Sequence, residues 1–201
     1  MNEFERWETR FSAPEYLFGT EPNAFLAAQK AVLPKSGRAL AVADGEGRNG
    51  VWLAEQGLDV LAIDFSPNAQ AKAQALALSR NVRLTTELAD VTRWSWPLEA
   101  FDVIAVIFTQ FTDPAERERM FGGIRQALKP GGLLLLEGYT PKQLEYGTGG
   151  PSKVEYLYTR ELLERAFGDF ADLQITEYET EMSEGARHTG MSALIDLVGR
   201  K

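Results

Sequence analysis

The sequence contains no cysteine, and this absence excludes several kinds of site. There is no material for a disulfide framework, a thiolate nucleophile or a zinc site of the cysteine type. Histidine is nearly absent as well, because His188 is the only one. A single histidine with scattered carboxylates is not a recognisable ligand set, so we predict no bound metal.

Long apolar runs are also missing. No segment approaches the ~18 consecutive apolar residues of a membrane span, and the acidic first six residues lack the apolar stretch of a signal peptide. We therefore predict a cytoplasmic protein that does not bind membranes. The formal charge of −8 and the pI near 4.8 oppose binding to phosphate backbones, so a small-molecule partner is favoured over nucleic acid. The sequence indicates no oligomeric state.

The 201 residues suit a single domain, 1–201, in which short aliphatic runs alternate with helical patterns. This alternation is typical of βαβ units that form a parallel sheet. The stretch 101–108 is apolar almost throughout, as expected of a central strand covered on both faces. The polar stretch 183–188 joins the last two predicted strands directly, which indicates a closing hairpin. The predicted strands are residues 39–43, 60–64, 82–88, 101–108, 133–137, 171–182 and 191–199.

The segment Gly45-Glu46-Gly47-Arg48-Asn49-Gly50 matches G-x-G-x-x-G between a predicted strand and a predicted helix. Glycine suits this place because the chain turns sharply and a ligand approaches the backbone without meeting a Cβ. The start of the helix also offers free N–H donors. A tight turn that binds nothing is the alternative interpretation.

Acidic residues follow the next two predicted strands. Asp64 comes about 20 residues after the turn, where a carboxylate accepts the hydroxyls of a ribose, and it also suits a helix start before Pro67. Asp90 is placed to accept an adenine amino group, although taken by itself it favours a surface loop acid. Because the carboxyl ends of parallel strands meet at one edge of a sheet, these residues together predict a nucleoside site.

The order of these features, followed by Leu128-Lys129-Pro130-Gly131-Gly132 and a terminal hairpin, resembles the class I S-adenosylmethionine-dependent methyltransferases. The resemblance covers about residues 36–199. The stretches 16–23, 45–49 and 136–139 resemble more narrowly a bacterial branch related to the tellurite-resistance methyltransferases.

This resemblance implies an α/β fold with a Rossmann-like seven-stranded, mostly parallel sheet, helices on both faces and a C-terminal antiparallel hairpin. It implies an N-terminal helical segment and lid (1–33), a cofactor-binding core (36–138) and a substrate-side part (139–201). The implied cofactor is S-adenosylmethionine, with S-adenosylhomocysteine as product. Asp64 is expected to hold the ribose, Asp90 or Val91 the adenine, and Phe65 one face of the ring. The predicted cofactor-binding residues are Ala43, Gly45, Glu46, Gly47, Arg48, Asn49, Asp64, Phe65, Ser66, Asp90 and Val91.

Two positions depart from the pattern of the family. The usual turn reads acid-x-Gly-x-Gly-x-Gly, but Ala41 stands at the acidic place and Ala43 at the first glycine. Alanine is acceptable at position 43 if its φ is negative. Loss of the acid removes one anchor near the methionine part of the cofactor, and Glu46, Arg48 or the N-terminal segment are candidates to compensate.

The methyl acceptor is predicted to be a small molecule whose nucleophilic atom attacks the methyl carbon in line with the departing sulfur. His188 is a candidate base, or else a solvated hairpin residue. Tyr146 is a candidate positioning group on a mobile, glycine-rich lid, or else an anchor of that loop. Residues expected to line the acceptor space are Tyr16, Phe18, Gln110, Phe111 and Tyr139.

Two rival functions remain open from the sequence. The glycine turn and Asp64 also suit an NAD(P)-dependent Rossmann oxidoreductase, although no second domain and no Tyr-x-x-x-Lys pair of the short-chain dehydrogenases is present. Ala41 and Ala43 motivate the other rival, a non-catalytic cofactor-binding protein of the same fold.

Overall fold

The computed structural model describes residues 3–185 and 188–201. Met1 and Asn2 of the predicted N-terminal segment, and Ala186 and Arg187 of the predicted hairpin turn, lie outside the described residues. The strands are β1 (Arg38–Val42), β2 (Asp59–Asp64), β3 (Thr85–Leu88), β4 (Phe101–Ile107), β5 (Leu128–Tyr139), β6 (Ala171–Glu184) and β7 (His188–Arg200). The helices are α1 (Glu3–Phe11), α2 (Ala24–Ala28), α3 (Arg48–Glu55), α4 (Pro67–Ser79), α5 (Pro114–Ala127), α6 (Gln143–Tyr146) and α7 (Arg160–Phe167).

The strands form one seven-stranded sheet in the order β3-β2-β1-β4-β5-β7-β6. The pairs among β1 to β5 are parallel, and β7 is antiparallel to both of its neighbours. This arrangement confirms the predicted Rossmann-like sheet with its terminal hairpin. The predicted central position of β4 is also confirmed, since three strands lie on each side of it. The strand order reverses between β1 and β4, which is where ligands bind in such sheets.

The inner strands are apolar along most of their length because both faces of the sheet are covered. In β4, Ile104 and Val106 belong to a core shared with α5 and α7, while Val103 and Ala105 belong to a core on the opposite face. Successive side chains of a strand point to opposite faces. A strand buried on both sides therefore has no position for a polar residue along most of its length.

Helix starts follow the local chemistry of the sequence. Ser66 caps α4 by accepting a hydrogen bond from the backbone of Ala69, and Pro67 is the first helical residue, as predicted. Asp113 and Glu116 form a reciprocal capping box at the start of α5. These caps fix where the segments after β2 and β4 leave the sheet, and hence where their loop residues lie.

Several predicted boundaries were wrong. The strand predicted over 82–88 is confined to Thr85–Leu88, and β5 already begins at Leu128 rather than after the glycine pair. The register of β5 against β4 shifts near this start, which accommodates Pro130 and the positive φ of Gly131. The hairpin strands extend closer to the turn than predicted, and the loop after β5 contains α6 and a 3₁₀ turn, Val154–Tyr156.

In the described part of the chain, no helix has both the length and the apolar character that crossing a membrane requires.

Candidate cofactor and acceptor site

The turn between β1 and α3 uses its two glycines for different purposes. Both have positive φ, 57° at Gly45 and 88° at Gly47, which glycine adopts without steric cost. A Cβ on Gly47 would lie 2.5 Å from Cβ of Ala73 in α4, so this glycine permits two helices to pack closely. The sequence had suggested that both glycines face the ligand, but only Gly45 lines the cavity beside the turn.

Ala43 does not have the negative φ under which alanine is acceptable at this position. Its φ is 49°, in the left-handed region, where a Cβ crowds the following carbonyl oxygen. Phe108, at the end of β4, also has a positive φ of 55°. Both residues line the same cavity, and backbone strain of this kind clusters at functional sites.

Asp64 joins the glycine turn to the start of α4. Its two carboxylate oxygens accept hydrogen bonds from the backbone of Gly45 and of Ser66, each at 2.9 Å. Burial raises the pKa of Asp64 to about 6, against the backbone hydrogen bonds, which lower it. Each carboxylate oxygen has two lone pairs, so Asp64 keeps acceptor capacity toward the cavity that it lines.

Asp44 is a cavity residue that the sequence reasoning missed. Its carboxylate accepts hydrogen bonds from the backbone of Gly50 at 3.0 and 3.2 Å. Part of the residue is accessible to solvent, but the surrounding protein still raises the pKa of Asp44 to about 8. The absence of an acid at position 41 could have pointed to Asp44, which supplies a carboxylate at the cavity three residues later.

Glu46, Arg48 and Asn49 hold the N-terminal segment. Glu46 forms a buried ion pair with Lys72 (2.7 Å) and accepts a hydrogen bond from the backbone of Leu17 (2.7 Å). Glu46 is therefore turned toward Lys72 and Leu17 and is not among the cavity-lining residues.

The other two residues of this group are shared between the segment and the cavity. Arg48 pairs with Glu184 of the hairpin at 2.7 Å and contacts the Phe18 carbonyl, and the Asn49 side chain accepts a hydrogen bond from the backbone of Asn23. Both Arg48 and Asn49 also line the cavity. The sequence motifs 16–23 and 45–49 are thus in direct contact in the folded protein.

Helix α1 covers the ends of β1 and β2. The ring of Phe4 lies 5.7 Å from that of Phe65, and Glu8 accepts a short hydrogen bond from the Ser66 hydroxyl. Phe11 Cζ lies 3.4 Å from the position that a Cβ on Gly45 would take. Since these contacts come from one short helix, α1 forms one wall of the cavity.

The cavity enclosed in this way combines aromatic with acidic walls. Asp64 offers acceptors for ribose hydroxyls, Phe65 and Phe111 offer apolar faces for a purine, and Asp44 offers a carboxylate for a positive charge. The residues present therefore fit S-adenosylmethionine. The lining comprises Trp7, Phe11, Phe18, Ala43, Asp44, Gly45, Arg48, Asn49, Asp64, Phe65, Ile107, Phe108, Phe111 and His188.

Asp90 and Val91 are not brought together with these residues. The Asp90 side chain is exposed and accepts two hydrogen bonds from Thr92, and Val91 is buried in the core. Asp90 lines a separate groove beside Trp94 and Glu87. Asp90 therefore lies as the alternative interpretation, an acid in a surface loop, expects. A contact of Asp90 or Val91 with adenine stays a prediction.

A second, larger cavity of about 540 Å³ adjoins the first. Of the predicted acceptor residues it is lined by Phe18, Gln110, Phe111 and Tyr139. Gln110 is occupied structurally, because its amide accepts from the backbone N–H of Tyr139 and donates to its carbonyl. Tyr16 is absent from both linings and donates to the carbonyl of Lys72 instead.

His188 lies where the two cavities meet, and the prediction of a solvated hairpin residue is wrong. Its ring is surrounded by Phe18, Phe108 and Tyr139, with centroids 4.5, 4.4 and 5.9 Å away. Among the described residues Nδ1 is buried without a hydrogen-bond partner, since the nearest Glu184 oxygen is 3.9 Å away. Burial lowers the pKa of His188, against the opposing effect of Glu184, so its ring is neutral at pH 7.

Tyr146 lies outside both linings. Its hydroxyl donates a short hydrogen bond to Glu179 of β6, which supports the interpretation of a loop anchor. Among residues 3–185 and 188–201 no group of histidine and carboxylate side chains suits a metal ion.

Comparison with known proteins agrees with this geometry. A family profile described as a methyltransferase domain matches residues 39–132, which is just under half of the chain. Residues 39–132 are thus similar to a methyltransferase domain, in agreement with the resemblance to S-adenosylmethionine-dependent methyltransferases expected from the sequence, and S-adenosylmethionine is the cofactor of that family. No curated protein sequence matches the chain.

Solved structures share the fold at low identity. The structure of an enzyme that converts a disulfide bond into a thioacetal group during echinomycin biosynthesis has a TM-score of 0.80 at 16% identity, covering 100% of this chain and 93% of the other. TehB from Haemophilus influenzae gives 0.72 at 15% identity, covering 100% and 67%. Phosphoethanolamine N-methyltransferase 2 from Haemonchus contortus, in complex with S-adenosyl-L-methionine, gives 0.72 at 20% identity, covering 96% and 57%.

Proposed function

We propose that this protein transfers a methyl group from S-adenosylmethionine to a small-molecule acceptor. The observation that carries the proposal is the junction of the two cavities, which share five lining residues. One cavity suits an adenosyl group, and the other leaves room for an acceptor beside it. The shared residues are Trp7, Phe18, Phe108, Phe111 and His188.

The cofactor, when bound, supplies an electrophilic methyl group on a positively charged sulfur. The protein has to bring the acceptor atom to about 3 Å from the methyl carbon, in line with the departing sulfur, and to exclude water. The aromatic side chains at the junction exclude water. Asp64 places negative charge beside the cavity that takes the cationic cofactor, and Asp44 adds a carboxyl whose ionised form a bound cation favours. We infer that α1, within the predicted N-terminal segment, acts as the lid, since this helix closes the cavity.

His188 is the proposed proton acceptor. In the transfer the acceptor atom forms a bond to carbon, the sulfur–carbon bond breaks, and a proton is released from a thiol or hydroxyl acceptor. A neutral imidazole with an unpartnered buried nitrogen is able to take that proton. The contribution of such a base is typically about 10² to 10⁴-fold in rate.

The test measures S-adenosylhomocysteine released from S-adenosylmethionine across a panel of thiols, phenols, amines and oxyanions such as selenite. We expect turnover with at least one class, and loss of about 10²-fold or more in His188→Ala with thiol or hydroxyl acceptors. Lys30→Gln, a charge change at an exposed residue remote from both cavity linings, is the matched control. Full turnover by His188→Ala on every acceptor would remove the proposed base.

Binding separates this proposal from the oxidoreductase alternative. A ligand present at about 100 times its dissociation constant stabilises the folded state by about 2.7 kcal/mol. We expect thermal stabilisation by S-adenosylmethionine and S-adenosylhomocysteine. Stabilisation by nicotinamide dinucleotides alone would contradict the proposal, and cofactor binding without turnover on any acceptor would favour the non-catalytic alternative.

A further inference from the structure

The second cavity is basic in an otherwise acidic protein. Its lining holds three cationic side chains, Arg6, Arg10 and Lys153, and one carboxylate, Glu3, whereas the whole chain has 29 acidic against 21 basic residues. His188 adds no charge, because burial lowers its pKa. The local charge therefore has the opposite sign from the average field of the molecule, which favours an anion in this cavity.

The cations come from two facing walls. Arg6 and Arg10 lie on α1, and Lys153 lies on the loop that follows α6. Arg6 pairs with Glu3 at 2.6 Å, but its Nε is buried and has no hydrogen-bond partner among the described residues. The Lys153 ammonium donates to the neutral hydroxyl of Tyr156 at 3.2 Å and lies 4.9 Å from the centroid of the same ring. Hydrogen-bond donors on both walls are thus available to a ligand.

The surfaces between these cations are aromatic. Trp7, Phe111, Tyr139 and Tyr156 line the cavity, and Trp7 stacks on Phe11 with ring centroids 5.4 Å apart. The indole Nε1 of Trp7 is buried without an acceptor, although such groups usually find a partner when buried. Flat apolar walls with an unsatisfied donor suit a planar ligand that carries acceptor oxygens.

We propose that the methyl acceptor is a planar aromatic molecule with an oxyanionic substituent, such as a carboxylate, and that Arg6 and Lys153 bind this substituent. This inference rests on the proposed function, because it assigns the second cavity to the acceptor. The nucleophilic atom then lies near His188, and the anionic group lies toward α1 and the loop. Arg6 and Lys153 determine specificity and take no part in the bond changes.

The experiment compares two thiol probes with the same ring, para-mercaptobenzoate and its neutral amide, para-mercaptobenzamide. Dissociation constants are measured by titration calorimetry with the protein saturated by S-adenosylhomocysteine, and methylation is measured separately with S-adenosylmethionine. The proteins are the wild type, Arg6→Gln, Lys153→Gln, the double variant and the control Lys30→Gln. A phosphonate of the same ring shows whether any oxyanion serves or the carboxylate is preferred.

In the wild type and in Lys30→Gln, the benzoate should bind about tenfold more tightly than the amide, as two exposed ion pairs of up to about 1 kcal/mol each allow. Each single variant should reduce this ratio about threefold, and the double variant should nearly abolish it. A ratio of one or less in the wild type, or an unchanged ratio in the double variant, would overturn the inference.

The two proposals fail in distinguishable ways. If neither thiol probe binds while another acceptor, such as selenite, is methylated, the inference is overturned and the proposed function stands. If S-adenosylhomocysteine itself does not bind, the proposed function fails before any acceptor is compared. A preference for the amide with normal methylation would overturn the inference and leave the proposed function standing.

Discussion

Substitution of the two turn glycines by alanine should separate a packing role from a ligand role. At Gly47 the new Cβ would lie 2.5 Å from Ala73 Cβ and 2.7 Å from its Cα, far inside van der Waals contact. Overpacking of this kind costs about 1–3 kcal/mol, and a non-glycine residue at a φ of 88° costs about 1–2 kcal/mol more. We therefore expect Gly47→Ala to lower the free energy of unfolding by about 2–5 kcal/mol.

The measurement is urea unfolding of Gly47→Ala, Ala73→Gly and the double variant. Ala73→Gly removes the nearest atom, so the double variant should recover part of the packing cost but none of the backbone cost. The interaction energy from this double-mutant cycle should offset part of the packing cost and amount to about 0.5–3 kcal/mol. Additive effects of the two substitutions would refute the assignment of Gly47 to helix packing.

Gly45→Ala should behave differently. Its Cβ would meet only the Phe11 ring, at 3.4 Å, so the packing cost is small and the backbone cost of about 1–2 kcal/mol dominates. The main effect should be weaker binding of S-adenosylhomocysteine, because the new methyl group projects between the turn and α1. An unchanged dissociation constant with the expected loss of stability would show that the ligand does not approach this glycine.

The remaining predictions concern charge and pH. Asp44→Asn keeps an acceptor for the Gly50 backbone but cannot ionise. The raised pKa of about 8 leaves Asp44 largely protonated at pH 7 without a ligand, and a bound cation favours its ionised form. The variant should therefore weaken binding of cationic S-adenosylmethionine more than that of S-adenosylhomocysteine; equal effects in calorimetry would argue against a role for this carboxylate. Arg48→Met leaves Glu184 buried and unpaired, and should destabilise the protein by about 3–5 kcal/mol in urea unfolding, whereas less than about 1 kcal/mol would mean that the pair is screened by solvent. The pKa values of buried Asp44 and Glu137 are each raised to about 8. The folded state therefore keeps protons that the unfolded state has lost, and stability of the cofactor-free protein should fall as the pH rises from 6.5 to 8. His188 opposes this trend only weakly, because the stability linked to its lowered pKa changes mainly below its usual 6.5, at the lower edge of this window. A rise in unfolding free energy over that window would contradict the raised pKa values.

Local patterns in the sequence were sufficient to predict the fold and the centre of the site. Phe101–Ile107 is apolar along most of its length, as a strand covered on both faces requires. Ser66-Pro67 defines the start of α4 through a side-chain cap and a fixed φ. The glycine turn and Asp64 could be joined in advance because the ends of parallel strands share one edge. These features depend on neighbours in sequence or on sheet geometry.

Features that depend on distant contacts could not be predicted. The roles of Glu46 and Arg48 are set by Leu17, Lys72 and Glu184, which lie from 26 to 136 residues away along the chain. The burial of His188 likewise results from rings contributed by the N-terminal segment and β4. No local pattern distinguishes such a histidine from a solvated turn residue.

Binding of S-adenosylhomocysteine to the wild type, Asp64→Asn and Asp59→Asn tests the central claim most directly. Both aspartates lie on β2, but Asp59 is exposed at the opposite end of the strand from the cavity. We expect Asp64→Asn to weaken binding by about 1.5–3 kcal/mol, as for lost hydrogen bonds to a charged group, and Asp59→Asn to bind as the wild type does. Equal affinities for all three proteins would contradict the assignment of this cavity to the adenosyl group.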